Sequence, residues 1–170
     1  MVIDVNWEYI HDVALDEVGN ITRLNSEIPI SDANWGILSF YLPARQVAEV
    51  ISAELYLNVT TAQASQTLDI GKLDYLLSKY DCWSHSWGDS RFIIEEESFG
   101  LYVESSDALQ TVGNHWVNLG SLACVDIQCL MEKGGFFGIF LKGNTSDQAS
   151  IASRAYSNSD ARPKLRIKYR

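Results

Sequence analysis

The residues VISAELYLNVT at positions 50–60 alternate strictly in character. Ile51, Ala53, Leu55, Leu57 and Val59 fall on one side, and Ser52, Glu54, Tyr56 and Asn58 on the other. Successive side chains of a strand point to opposite faces, so this period predicts a strand with one face on a core and one toward water. The pattern returns in Phe137, Ile139 and Leu141, and again in Leu165, Ile167 and Tyr169 set against Lys164, Arg166 and Lys168. Shorter candidates are Ile37–Leu42, Leu68–Leu73, Phe92–Glu96, Leu101–Glu104, His115–Leu119 and Ile151–Tyr156. Turn-forming clusters separate them at Ser31–Asn34, Trp87–Ser90, Gly143–Asp147 and Ser157–Asp160, rich in residues that favour turns through their backbone chemistry. Roughly eight or nine short strands punctuated in this way predict an all-β fold, an antiparallel β-sandwich of jelly-roll type. Helical signal is confined to one or two short connectors. One is Val125–Lys133, with Asp126 as its cap and Gly134-Gly135 as its stop, and the other is Leu73–Lys79.

Nothing divides the 170 residues, so they are read as a single domain, 1–170, with residues 1–30 an N-terminal arm or an edge strand. An apolar fraction of 46% against 21% charged residues suits a packed globule and excludes disorder for the bulk of the chain. The formal charge of -9 argues against an electrostatic grip on nucleic acid or anionic lipid. Positive charge gathers at the end, in Arg162, Lys164, Arg166, Lys168 and Arg170. In a strand these share one face. They form either a basic stripe for an acidic partner or, the stronger reading, the wet face of a last strand. The longest apolar stretch, Gly134–Leu141, is far shorter than the roughly 20 residues of a membrane span. No membrane insertion is expected. The first residues carry acids where a signal peptide needs a basic leader, so the expectation is synthesis in the cytoplasm without a signal peptide. Cys82, Cys124 and Cys129 are an odd set without zinc spacing and are read as buried free thiols, with one disulfide among them left open.

The order of several segments carries a resemblance. Ile37–Leu42 leads through the loop Pro43–Glu49 to Ala53, Leu55, Leu57 and Val59. Trp116 precedes Cys124-Val125-Asp126-Ile127, then come GGFFGIFLKGN and IASRAYSNSDARPKLRIKY, closing on Pro163-Lys164-Leu165-Arg166-Ile167-Lys168-Tyr169. Over roughly residues 35–170 the chain resembles a DNRLRE-type domain, a β-sandwich family grouped with carbohydrate-binding modules. The resemblance implies a sandwich with glycan-binding relatives, and it places Trp116 in the core. Two departures stand out. Trp83-Ser84-His85-Ser86-Trp87 replaces the family's usual middle motif, and the acidic run Glu95-Glu96-Glu97 follows, so ligand contacts there do not carry over.

Few residues suggest chemistry. Trp83 and Trp87, with Tyr80 nearby, suit an aromatic platform for sugar faces, although large aromatics in sandwiches more often fill the core. Glu95 and Glu97 would share a strand face, as a glycosidase pair needs, but acids on an edge strand also discourage aggregation, and neither is marked as a proton donor. Asp12, Asp16 and Glu17 are the candidate ligands for a Ca2+ ion, without the dense acidic loop such sites favour. No other cofactor is implied. The three histidines form no cluster, and no hydrolase, zinc-protease or nucleotide-binding signature occurs. The expectation is therefore a non-catalytic structural or adhesive protein of a virion or other extracellular surface assembly, such as a phage head-decoration or tail protein. It would partner other protein subunits as a homo-oligomer. The alternative is a carbohydrate-binding module that recognises a polysaccharide through exposed aromatics.

Overall fold

A computed structural model describes residues 1–5, 10–15, 21–22, 26–73 and 100–170. Its longest strand is β6 (Val50–Thr61), the segment whose alternation is clearest. Along one edge of β6 lies β9 (Gly113–Asn118), paired with residues 54–59. Along the other lie β12 (Lys164–Tyr169) and β11 (Ala149–Ala152), end to end, paired with residues 50–56 and 59–61. β1 (Val2–Val5) adds to β12, and β4 (Glu27–Ile30) adds to β11. The second sheet runs in the order β3-β2-β5-β10-β7-β8, with β2 (Ile10–Leu15), β3 (Ile21–Thr22), β5 (Trp35–Leu42), β7 (Leu68–Lys72), β8 (Leu101–Ser106) and β10 (Gly135–Gly143). Every pairing among the described residues is antiparallel. The fold is the expected all-β sandwich. Residues 1–30 contribute strands to both sheets, with β2 an interior strand of the second.

The core fills the space between the sheets. Ala53, Leu55, Leu57 and Val59 of β6, Phe137, Ile139 and Leu141 of β10, and Leu165 and Ile167 of β12 are all fully or almost fully buried, as their alternation predicts. Each buried Leu, Ile or Phe contributes about 1.5–3 kcal/mol relative to exposure. Ile51 departs from the pattern. It is 47% exposed, while Val50 takes the buried place. The register explains this. Lys168 faces Ser52 but Tyr169 faces Val50, so β6 carries one extra residue at Ile51, and a bulge rotates that side chain outward.

One α-helix occurs among the described elements, α1 (Gly120–Lys133), and it is longer than the predicted Val125–Lys133. It begins where Asn118 Oδ1 accepts the Gly120 N–H at 2.8 Å, so a glycine in the first turn hides its start from propensity arguments. Its end agrees with the reading. Gly134 adopts φ 76°, and its N–H reaches the Leu130 carbonyl at 2.8 Å. Asp126 is not the cap. It lies in mid-helix, where its carboxylate accepts the Tyr102 hydroxyl at 2.6 Å and pairs with Lys72 at 3.2 Å, tying the helix to β7 and β8. Nor is α1 a mere connector, because Ala123, Cys124, Ile127 and Met131 seal one end of the core. The candidate strand Phe92–Glu96, the turn Trp87–Ser90 and the helix after Leu73 lie outside the described residues. Cys124 is buried and Cys129 exposed, both as free thiols; Cys82 lies outside the described residues. The strand expected over Ile151–Tyr156 stops at Ala152, where the Tyr156 N–H folds back on the Ser153 carbonyl.

The predicted turn at Gly143–Asp147 is held by one buried amide. Gln66 Oε1 accepts the backbone N–H groups of Asn144 and Thr145 at 2.9 and 2.8 Å, and the Thr145 hydroxyl at 3.1 Å. Its Nε2 donates to the carbonyls of Thr145 and Asp147 at 3.2 and 2.6 Å. Because Gln66 is fully buried, its removal leaves several backbone groups unpaired. Gln66→Ala is expected to cost about 2–3 kcal/mol in urea denaturation, and a loss below ~1 kcal/mol would show that the turn holds itself.

Candidate functional site

The alternation that buries one face of the first sheet leaves the other open, and the register decides what gathers there. β12 turns Lys164, Arg166 and Lys168 outward, between the buried Leu165, Ile167 and Tyr169. β9 turns Asn114, Trp116 and Asn118 outward, and β6 turns Glu54, Tyr56 and Asn58. Antiparallel pairing sets Tyr56 between Lys164 and Trp116, and Glu54 between Arg166 and Asn118. Asp4 of β1 lies directly opposite Arg166.

Trp116 is the centre of this face, and it is 40% exposed. Its ring meets that of Tyr56 at 5.0 Å with a 54° tilt, a favoured geometry for aromatic pairs. The Arg166 guanidinium lies 4.1 Å from the Trp116 ring centre, and the Lys164 ammonium 4.9 Å from that of Tyr56. Flanked on both sides, Tyr56 is buried although it points outward. Its hydroxyl donates to Asn114 Oδ1 at 2.7 Å, and the same oxygen accepts from Asn58 Nδ2 at 2.7 Å. The Asn114 amide nitrogen and the Asn58 carbonyl oxygen take no part in these bonds and supply further polar valence. Arg166 makes a two-pronged bond to Asp4, Nε to Oδ1 at 2.8 Å and Nη2 to Oδ2 at 3.1 Å. That bond holds the Asp4 carboxyl below its ordinary pKa and keeps the Arg166 guanidinium more firmly protonated. Burial pushes the Tyr56 hydroxyl up, with the Asp160 carboxylate adding to it. The result is a flat apolar ring edged by amides and a fixed guanidinium. Such a surface suits a ligand with an apolar face and a hydroxylated rim.

Trp116 corrects an expectation, since the resemblance places it in the core. A signal for its true place was present: Val117 and Leu119 are the inward residues of that segment, so strict alternation turns Trp116 to water. The basic stripe at the chain end is the wet face of the last strand, as expected, but it comprises Lys164, Arg166 and Lys168. Arg162 Nε turns to the Tyr156 carbonyl at 3.0 Å, and Arg170 pairs with Glu49 at 2.5 Å. Tyr80, Trp83, Trp87 and Glu95–Glu97 lie outside the described residues, as do Asp16 and Glu17. Asp12 lies on the inward side of β2, beside Leu38, and its carboxylate accepts the Arg154 backbone N–H. Burial raises its pKa, against the lowering effect of that bond. Among the described residues, no three His, Cys, Asp or Glu side chains gather as a metal site requires.

No protein-family model matches the chain, and no curated protein matches it in sequence. The functional reading therefore starts from the geometry of this face.

Asp4 and Asp12 give opposite pH signatures. The folded pKa of Asp4 is lowered, so its contribution is present above the unfolded value and lost as pH falls through the folded one. The folded pKa of Asp12 is raised, so its contribution is present below the unfolded value and lost as pH rises through the folded one. In urea denaturation across the acid range, Asp4→Asn is expected to fall further behind the parent as pH rises. Asp12→Asn, which keeps an acceptor for Arg154, is expected to gain on the parent over the same rise.

Proposed function

We propose that this chain is a non-catalytic β-sandwich that binds glycans through the outer face of its first sheet. The observation that carries the proposal is the partly exposed Trp116 ring, braced by Tyr56, edged by Asn58 and Asn114, and covered on part of one face by Arg166. Pyranose rings present an axial C–H face that stacks on aromatic rings and an equatorial rim of hydroxyls that seeks amides and guanidinium groups. A surface that is already rigid loses little entropy on binding, and cross-strand pairing fixes every group named here. Asp4 speaks for binding rather than hydrolysis. A glycosidase needs an acid whose pKa is raised so that it can donate a proton, whereas Asp4 is held ionised by Arg166. A component of a virion or other surface assembly that attaches to a glycan would use such a face, although the sugar platform expected from the sequence is Trp83, Trp87 and Tyr80 instead.

A glycan array followed by affinity electrophoresis tests this. Trp116→Ala is expected to weaken binding of the array's ligands about tenfold or more, equivalent to ~1.4 kcal/mol. An array without hits, or hits indifferent to Trp116→Ala, would sink the proposal. Hits that survive Trp116→Ala but vanish in the Trp83→Ala, Trp87→Ala double variant would do the same for this face.

A further inference from the structure

The charges around Trp116 are arranged in an unusual order for a basic stripe. Arg166 projects from a run of alternating cations, yet its guanidinium has already spent two of its five N–H donors on the Asp4 carboxylate. Those two are Nε–H and one hydrogen of Nη2, so the remaining donors lie on Nη1 and on the far side of Nη2, away from Asp4. The group is thereby fixed over one face of the indole ring, 4.1 Å from its centre, with donors still to offer. Its charge is compensated by Asp4, and the neighbouring Glu54 stands opposite it on β6. Lys164, on the Trp116 row, lies over the Tyr56 ring. Around the aromatic pair two cations, Arg166 and Lys164, therefore stand against three anions, Asp4, Glu54 and, acting on Tyr56, Asp160. Lys168, two residues beyond Arg166, is offset by four residues, roughly 13 Å at ~3.3 Å per residue, from the row of Lys164, Tyr56 and Trp116. The whole chain carries -9, which repels a polyanion before it arrives.

We infer that the ligand of this face is a neutral glycan, and that Asp4 is the positioning residue that makes it so, by holding the Arg166 guanidinium beside Trp116 as a charge-compensated hydrogen-bond donor. This rests on the glycan-binding reading above. A sugar stacked on the open part of the indole meets the remaining guanidinium donors with its ring-edge hydroxyls. Hydroxyl oxygens accept such bonds without bringing charge of their own, so the balance of the face is kept. A uronate carboxylate would instead compete with Asp4 for the same guanidinium and meet Glu54 at close range, where like charges repel. β1, which packs on the sheet edge and does not touch the aromatic pair in the ladder, thus sets the specificity of a site whose centre, Trp116 on β9, lies three strands away.

The test measures binding of cello-, manno- and xylohexaose and of an oligogalacturonate of equal length, by isothermal titration calorimetry, at roughly 20 mM and 300 mM salt, where screening differs severalfold. The parent is expected to bind a neutral hexamer with affinity nearly independent of salt, and oligogalacturonate about tenfold more weakly or worse. Asp4→Asn is expected to lose about three- to tenfold in affinity for the neutral hexamer, and to gain oligogalacturonate binding that disappears at high salt. A merely structural role for Asp4 would weaken all ligands alike and create no salt-sensitive gain. Arg166→Gln, which leaves Asp4 in place, keeps the test decisive should Asp4→Asn unfold. It is expected to lose neutral-sugar affinity without acquiring the acidic ligand. A parent that prefers oligogalacturonate overturns the inference, and so does Asp4→Asn binding with the parent's selectivity. Trp116→Ala separates the two levels: binding that needs Trp116 but ignores Asp4 removes only the inference about charge. Binding that ignores Trp116, or no binding to any hexamer, removes the glycan-binding face itself.

Discussion

The backbone ladder that β6 makes along both of its edges is the constraint from which the rest follows. On one side it takes β9, on the other β12 and β11 in line, and those pairings bring Trp116, Tyr56, Lys164 and Arg166 into adjacent positions although they come from three distant stretches of chain. A slip of one residue in either pairing would turn Trp116 or Arg166 into the core and turn Val117 or Ile167 out to water. The cost of exposing those apolar side chains, about 1.5–3 kcal/mol each, is what keeps the outer face in register. Core packing and site geometry are thus one property of the sheet, seen from its two sides.

Of the two register shifts in that ladder, the one at Ile51 is informative. The bulge at Ile51 lets Tyr169 and Val50 face each other and stay buried, while the strict alternation would have buried Ile51. Beyond it, Lys164, Arg166 and Lys168 keep their outward places, so the bulge ends the regular face without disturbing it. Gln66, beyond the far end of β6, and α1, whose Gln128 accepts the Val50 N–H beside the bulge, do comparable work with different means. Gln66 satisfies the backbone of a turn from the inside, and α1 covers the core with four side chains of one face while Asp126 ties it to the second sheet.

Two carboxylates illustrate how position alone sets chemistry. Asp4 and Asp12 are the same residue type on strands near the chain start, and their environments push them in opposite directions. Asp4 lies at a wet edge with a guanidinium clasped to it, which favours the ionised form. Asp12 faces inward and has a backbone N–H to accept, with burial outweighing that bond. The first is thereby available to tune a surface, and the second is part of the seam between the sheets. Neither role is visible from the acidic spacing that suggested a calcium ligand set.

Alternation read from the sequence determined the fold class, the inward residues of β6, β10 and β12, and the stop of α1 at Gly134. These are local properties: a period of two, and a glycine free to adopt positive φ, need no knowledge of distant residues. The same alternation held the answer for Trp116, which its size and the family resemblance assigned to the core. What only the tertiary structure decided is which strands are neighbours and in what register. Hydrogen bonding between strands depends on backbone groups that every residue shares, so side-chain pattern does not say that Arg166 will face Asp4 from the other end of the chain, or that Tyr56 will stand beside Trp116. The start of α1 and the bulge at Ile51 belong to the same class, because an Asn side chain that accepts a glycine N–H and an extra residue opposite Tyr169 gain their meaning from contacts made after folding.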